Sequence, residues 1–116
     1  MTDKREKSYH KLLVWQRMRE LLVFTYKLTE KLPRSEEFVI KPQMRRAVIS
    51  VISNFVEGYL KKSRKEKLYF MGISETSLLE LEAQSEICKT LSYWSYSDYD
   101  LFDNKRSEVA FFALPL

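Results

Sequence analysis

The chain has 116 residues, 45% hydrophobic and 31% charged, with a formal net charge of +4. That length suits one domain with its own core, and the balance is that of a folded globular protein rather than a disordered tail. The single cysteine, Cys88, excludes an internal disulfide, and no apolar run approaches the roughly 18 residues that would span a bilayer. Two glycines and three prolines favour long helices over a turn-rich β fold. A charged stretch from Met1 to Ser8, followed by no signal-peptide pattern, and the lone thiol lead us to expect a cytoplasmic protein without membrane association.

The first predicted helix spans about residues 8–32, and residues 1–8 are expected to be flexible. Val14, Met18, Leu21, Leu22, Thr25, Leu28 and Leu32 recur at three- and four-residue spacing, as one buried face requires. Trp15, Val23, Phe24 and Tyr26 spread apolar surface further round the cylinder. That surplus implies a partner subunit, because a helix in a lone bundle needs one stripe. Pro33 stops the helix.

The second helix is predicted over about residues 42–61, with Pro42 in the first turn, where its missing N–H costs nothing. On a wheel at about 100° per residue, Met44, Val48, Val51, Ile52, Phe55, Val56 and Tyr59 cover one arc. Gln43, Arg46, Ser50, Asn54, Glu57 and Lys61 fall opposite. Arg45 lies within the apolar arc, where an unpaired charge is costly, so an ion pair with Glu57, Glu80 or Glu82 is expected. Gly58 implies close contact with another helix or a helix end, with ligand binding as a third option.

"YLKKSRKE" breaks the pattern, and Ser63 with Glu66 forms a capping box for a third helix over about 64–91. Its predicted stripe is Phe70, Ile73, Ser77, Leu81, Gln84, Cys88 and Leu91, with small Ser77 allowing a neighbour to approach. After the turn "SYWSYSD", Ser97 is expected to cap a short last helix over about 98–114, ended by Pro115. The pattern predicts a single all-α domain over residues 1–116, an antiparallel up-down-up-down four-helix bundle.

Charge is uneven along the chain. Residues 1–67 hold 17 Lys and Arg against 8 Asp and Glu, whereas residues 68–116 hold 3 against 8. Such polarity can steer nucleic acid to one surface, or simply place basic and acidic helices side by side. No catalytic constellation emerges. Zinc needs about four Cys or His ligands, and only His10 and Cys88 are present. Gly58 and Gly72 stand alone, so no phosphate-cradling loop exists. Without a Glu-x-x-His pair a di-metal carboxylate site is not expected. The chain reads as a non-enzymatic protein without metal or cofactor.

Six motifs occur in order: "LLVWQ" (12–16), "YKLT" (26–29), "QMRRA" (43–47), "SNFVEG" (53–58), "SRKE" (63–66) and "SLLELE" (77–82). Together they resemble the bacterial four-helix-bundle proteins encoded in intervening sequences of 23S rRNA genes. The resemblance implies a ring, a homopentamer most of all, and a link to RNA. A relative in fold is the accessory protein of diversity-generating retroelements, which partners a reverse transcriptase and binds nucleic acid. The chain departs from the family at "EFVIKP", at "SETS" and in its short tail "KRSEVAFFALPL".

The basic run Lys61, Lys62, Arg64, Lys65 and Lys67, with Arg46, forms the candidate nucleic-acid-binding set for RNA or DNA, and Tyr59 and Tyr69 flank it for stacking. A solvated lysine-rich turn is the plainer alternative. Trp15, Phe24, Arg45, Ser50, Asn54 and Glu57 are candidates for a subunit interface or channel. The expected function is a ring-forming bundle that binds RNA or a nucleoprotein through a basic rim. The alternative is a protein-binding scaffold or accessory subunit, with a partner such as a reverse transcriptase and no direct nucleic-acid contact.

Overall fold

A computed structural model describes residues 7–113. Among these residues there are four α-helices and no strand: α1 (Leu13–Glu30), α2 (Ile40–Leu60), α3 (Arg64–Thr90) and α4 (Tyr96–Ala113). The chain is all-α, as its periodicity requires. None of these helices is long and apolar enough to cross a membrane.

α1 begins later than expected. Ser8–Lys11 instead forms a 3-10 turn, held by the Lys7 N–H donating to His10 Nδ1 at 3.1 Å. Tyr9 and His10 then lie 5.0 and 5.2 Å from the Trp15 ring, so aromatic packing folds this turn back onto α1. Thr25 and Thr29 are fully buried without an unpaired hydroxyl. Each donates to a carbonyl one turn back, Leu21 O at 2.6 Å and Thr25 O at 2.7 Å, which removes the burial penalty.

α2 starts two residues before Pro42, which still leaves the proline in the first turn. Its buried face includes Met44, Val48, Val51 and Phe55, all on the predicted arc. α3 is capped by Ser63, whose Oγ accepts the Glu66 N–H at 3.3 Å, which is one half of the expected capping box. Its buried stripe, however, is Met71, Ser74, Ser77, Leu78, Leu81, Ser85 and Cys88. Phe70 and Ile73 are only half-buried and Leu91 is exposed. The expected stripe is rotated because apolar residues lie on both sides of α3 and small serines, not bulk, mark the seam with α2.

α4 corrects two expectations. It has 18 residues, as many as α1, so it is not short. Its cap is Ser95 rather than Ser97, since Ser95 Oγ accepts the Asp98 N–H at 3.1 Å. The preceding turn is anchored by Trp94, buried, with Nε1 donating to Leu28 O at 3.2 Å. Burial of that indole fixes where the chain turns, and the next serine becomes the cap. The predicted stop at Pro115 and most of the predicted flexible residues 1–8 lie outside the described residues.

The helices touch in cyclic order, α1 to α2, α2 to α3, α3 to α4 and α4 to α1, with the α2–α3 contact the most extensive. Ser50 meets Ser77 and a Cβ on Gly58 would meet Phe70, while Arg17 meets Glu108 and Lys31 meets Asp98. Phe55 and Phe102, each at most 1% exposed, anchor the core, and truncation of a side chain so placed costs about 3–5 kcal/mol.

Candidate functional site

The α2–α3 corner is tight because Gly58 makes it so. A Cβ there would lie 3.1 Å from Lys67 O and 3.1 Å from Phe70 Cβ. Close approach, one of the three readings of this glycine, is therefore its structural reason. The backbone turns between Leu60 and Arg64, placing the basic run at one end of the bundle.

That run divides in two. Lys61 is occupied: its Nζ lies 3.2 Å from Glu57 Oε1 and 3.8 Å from Glu66 Oε2, and 5.4 Å from the Phe70 ring centroid. Lys67 is occupied too, donating to Tyr59 O at 2.9 Å and so covering a carbonyl at the end of α2. Lys62, Arg64 and Lys65 are exposed and form no ion pair with another described residue. Arg64 and Lys65 stand in the first turn of α3, where cations oppose the positive end of the helix dipole, each at a cost of about 0.3–1 kcal/mol. Ordinary helix stability does not favour them there. Tyr69 is 64% exposed beside this turn, while Tyr59 is half-buried and stacks on Phe55.

Arg46 is exposed but does not join this rim. Fifteen residues separate it from Lys61, about 22 Å along a helix. It borders a shallow polar hollow between α2 and α3 with Gln43, Ser50, Ser77 and Glu80. Within that seam Asn54 Nδ2 donates to Ser50 O and Oγ at 2.9 and 3.0 Å. Ser77 Oγ donates to Ser50 Oγ at 2.8 Å, so Ser50 meets α3 of its own chain. Glu57 faces solvent and pairs with Lys61.

Arg45 is ion-paired, but not with Glu57, Glu80 or Glu82. Its Nη2 lies 2.7 Å from Glu30 Oε2 on α1, its Nε donates to Thr29 Oγ1 at 3.0 Å, and its guanidinium sits 4.3 Å over the Tyr26 ring. The Arg45 hydrogen bond, with Lys41 nearby, holds the Glu30 carboxyl below its usual range. Trp15 and Phe24 are each half-buried. Phe24 lies 6.5 Å from Phe102 and beneath Lys105 at 5.6 Å, so α4 covers part of it.

Cys88 is buried, and burial pushes its thiol up to about 12, which leaves it almost wholly protonated at neutral pH and a poor nucleophile. On the other flank, Tyr99 donates to Glu86, and that bond pushes the phenol up to about 12. Among the described residues no group of three or more His, Cys, Asp or Glu could hold a metal.

Sequence reasoning missed an open apolar groove of about 830 Å³ between α1 and α2, lined by Leu22, Val23, Tyr26 and Ile49. The signal was Ile49, an apolar residue beside Arg46 rather than on the main arc.

The architecture has a counterpart among solved structures. The crystal structure of a protein of unknown function from the S23 ribosomal protein family of Bacteroides thetaiotaomicron matches at a TM-score of 0.81 with 22% identity. The match covers 88% of this chain and 95% of that one, and it shows a shared fold. No curated protein matches the sequence. The family model for the 23S rRNA-intervening sequence protein matches residues 10–112. The chain belongs to the 23S rRNA-intervening sequence protein family.

Proposed function

We propose that this protein is a non-enzymatic, antiparallel up-down-up-down bundle that joins with copies of itself into a ring and binds RNA through a basic rim at the α2–α3 corner. The observation that carries the reading is the placement of Lys62, Arg64 and Lys65. All three are exposed, without an ion pair to another described residue, and two stand where the helix dipole disfavours a cation. A phosphate brought there gains from the side-chain charge and from the helix N-terminus together. Tyr69 offers an exposed ring for a base. In a ring the patch recurs once per copy, so weak contacts add through avidity.

A filter-binding titration at low and high salt tests this. Wild-type protein retains RNA at low salt and loses it steeply as salt rises, whereas Lys62→Glu, Arg64→Glu, Lys65→Glu together abolish retention. Absence of retention by the wild type at low salt overturns the reading.

A specific observation favours the scaffold reading as the alternative. At the opposite end of the bundle Phe38 is 92% exposed and Tyr96 is 77% exposed, the kind of apolar anchor a protein partner covers. Loss of a co-purifying protein on Phe38→Asp, with RNA retention absent throughout, is the outcome that reading predicts.

A further inference from the structure

α3 turns an uncharged face outward. Leu68, Gly72, Thr76, Leu79, Ala83 and Ile87 follow one another at three- and four-residue steps, and all are exposed. The outer face of a surface helix ordinarily carries charge. Leu79 is 57% exposed, and nothing lies within 4 Å of a Cβ built on Gly72. A mid-helix glycine costs about 1 kcal/mol relative to alanine, and nothing in its own chain requires it. Space at that position serves something that approaches from outside. Glu75 and Glu80 flank the face, both exposed and neither ion-paired with another described residue.

A second incomplete surface lies elsewhere on the same chain. The α1–α2 groove presents Leu22, Val23, Tyr26 and Ile49. Lys27 lines it and Arg19 stands two turns back on α1. Neither base has an ion-pair partner among the described residues. One surface is a ridge flanked by two unpaired acids, the other a trough with the unpaired base Lys27 beside the Arg45–Glu30 pair.

We propose that the outward face of α3 seats in the α1–α2 groove of a second copy of this chain. The proposal rests on the assembly reading above and deepens it by naming the two surfaces that meet. They are different surfaces, so the contact is head-to-tail and leaves the pair with one ridge and one trough free, and repetition closes a ring or extends a filament. Leu79 and Ile87 would lose water against Val23 and Ile49, and Glu75 would approach Lys27.

Two exposed substitutions, each of which leaves one surface intact, test this. Leu79→Glu spoils the ridge, and Ile49→Glu spoils the trough. The expected result in sedimentation equilibrium is that each variant alone falls from the assembled mass to a single 13.9 kDa chain, with helical circular dichroism unchanged. Mixed in equal amounts, they form a pair of about 28 kDa and nothing larger, because only one ridge and one trough remain. Ala83→Arg and Lys27→Glu, also at exposed positions, give the same two results if either first variant fails to fold. Variants that keep the wild-type mass, or a mixture that stays at single-chain mass, overturn the proposal while the assembly reading stands. A wild type that is itself a single chain overturns both.

Discussion

Arg45 reaches from α2 to Glu30 on α1 at 2.7 Å, and this pair ties the two helices at the end remote from the basic rim. The same guanidinium takes up Thr29 Oγ1 and, at 3.3 Å, Tyr26 O, a carbonyl near the end of α1 that also accepts from Thr29 Oγ1 at 3.2 Å. An arginine within an apolar arc is thus satisfied by the end of a neighbouring helix. Arg45→Met should lower unfolding free energy by about 1–2 kcal/mol, since charged hydrogen bonds are lost and Thr29 is left without its outside partner. Glu30→Gln should cost less, because Glu30 is exposed and solvent screens it. The folded Glu30 carboxyl sits below its usual range, so its contribution is present above the unfolded carboxylate pKa and fades as pH falls through the folded one. Urea melts between pH 7 and pH 3 should show that loss in wild type and not in Glu30→Gln.

Gly58 gives a prediction of the opposite sign from helix propensity. Alanine is the better helix former by about 1 kcal/mol, yet here its methyl would press on Lys67 O, a backbone atom of α3 that cannot swing aside. Overpacking of this kind costs about 1–3 kcal/mol. Gly58→Ala should therefore lower the denaturation midpoint, where an open helical site would raise it.

Ser92 is the only described non-glycine residue with positive φ, at 60°. It closes α3, with its N–H donating to Lys89 O at 3.0 Å and the Tyr93 N–H to Cys88 O at 2.9 Å, the pair of bonds that usually recruits glycine. A serine there carries a left-handed cost of about 1 kcal/mol or more. Ser92→Gly should relieve it and raise Tm by roughly 4 °C, read by calorimetry.

Much of this architecture was legible in the sequence, and the remainder was not for identifiable reasons. Val14, Met18, Leu21, Met44, Val48, Val51 and Phe55 announce their faces because bulky apolar residues repeat against a polar background. α3 defied that reading, since Ser74 and Ser77 make its seam with α2, and Leu79 and Ile87 sit on its outer side. Ser95 and Ser97 are equally good caps on paper. Burial of Trp94 decides between them, and burial is a tertiary fact. Arg45 could be read as paired, but Glu30 is fifteen residues earlier on another helix, a partner that no periodicity indicates. The basic run was visible as a cluster, whereas the division between occupied Lys61 and Lys67 and unpaired Lys62, Arg64 and Lys65 depends on which carboxylates and carbonyls the corner brings near.

The most direct test of assembly is solution mass, measured by sedimentation equilibrium over a hundredfold dilution. Uncovered apolar surface on α3 and in the α1–α2 groove predicts a stable multiple of 13.9 kDa, about 70 kDa for five copies. A well-folded species at 13.9 kDa across the whole range would contradict it.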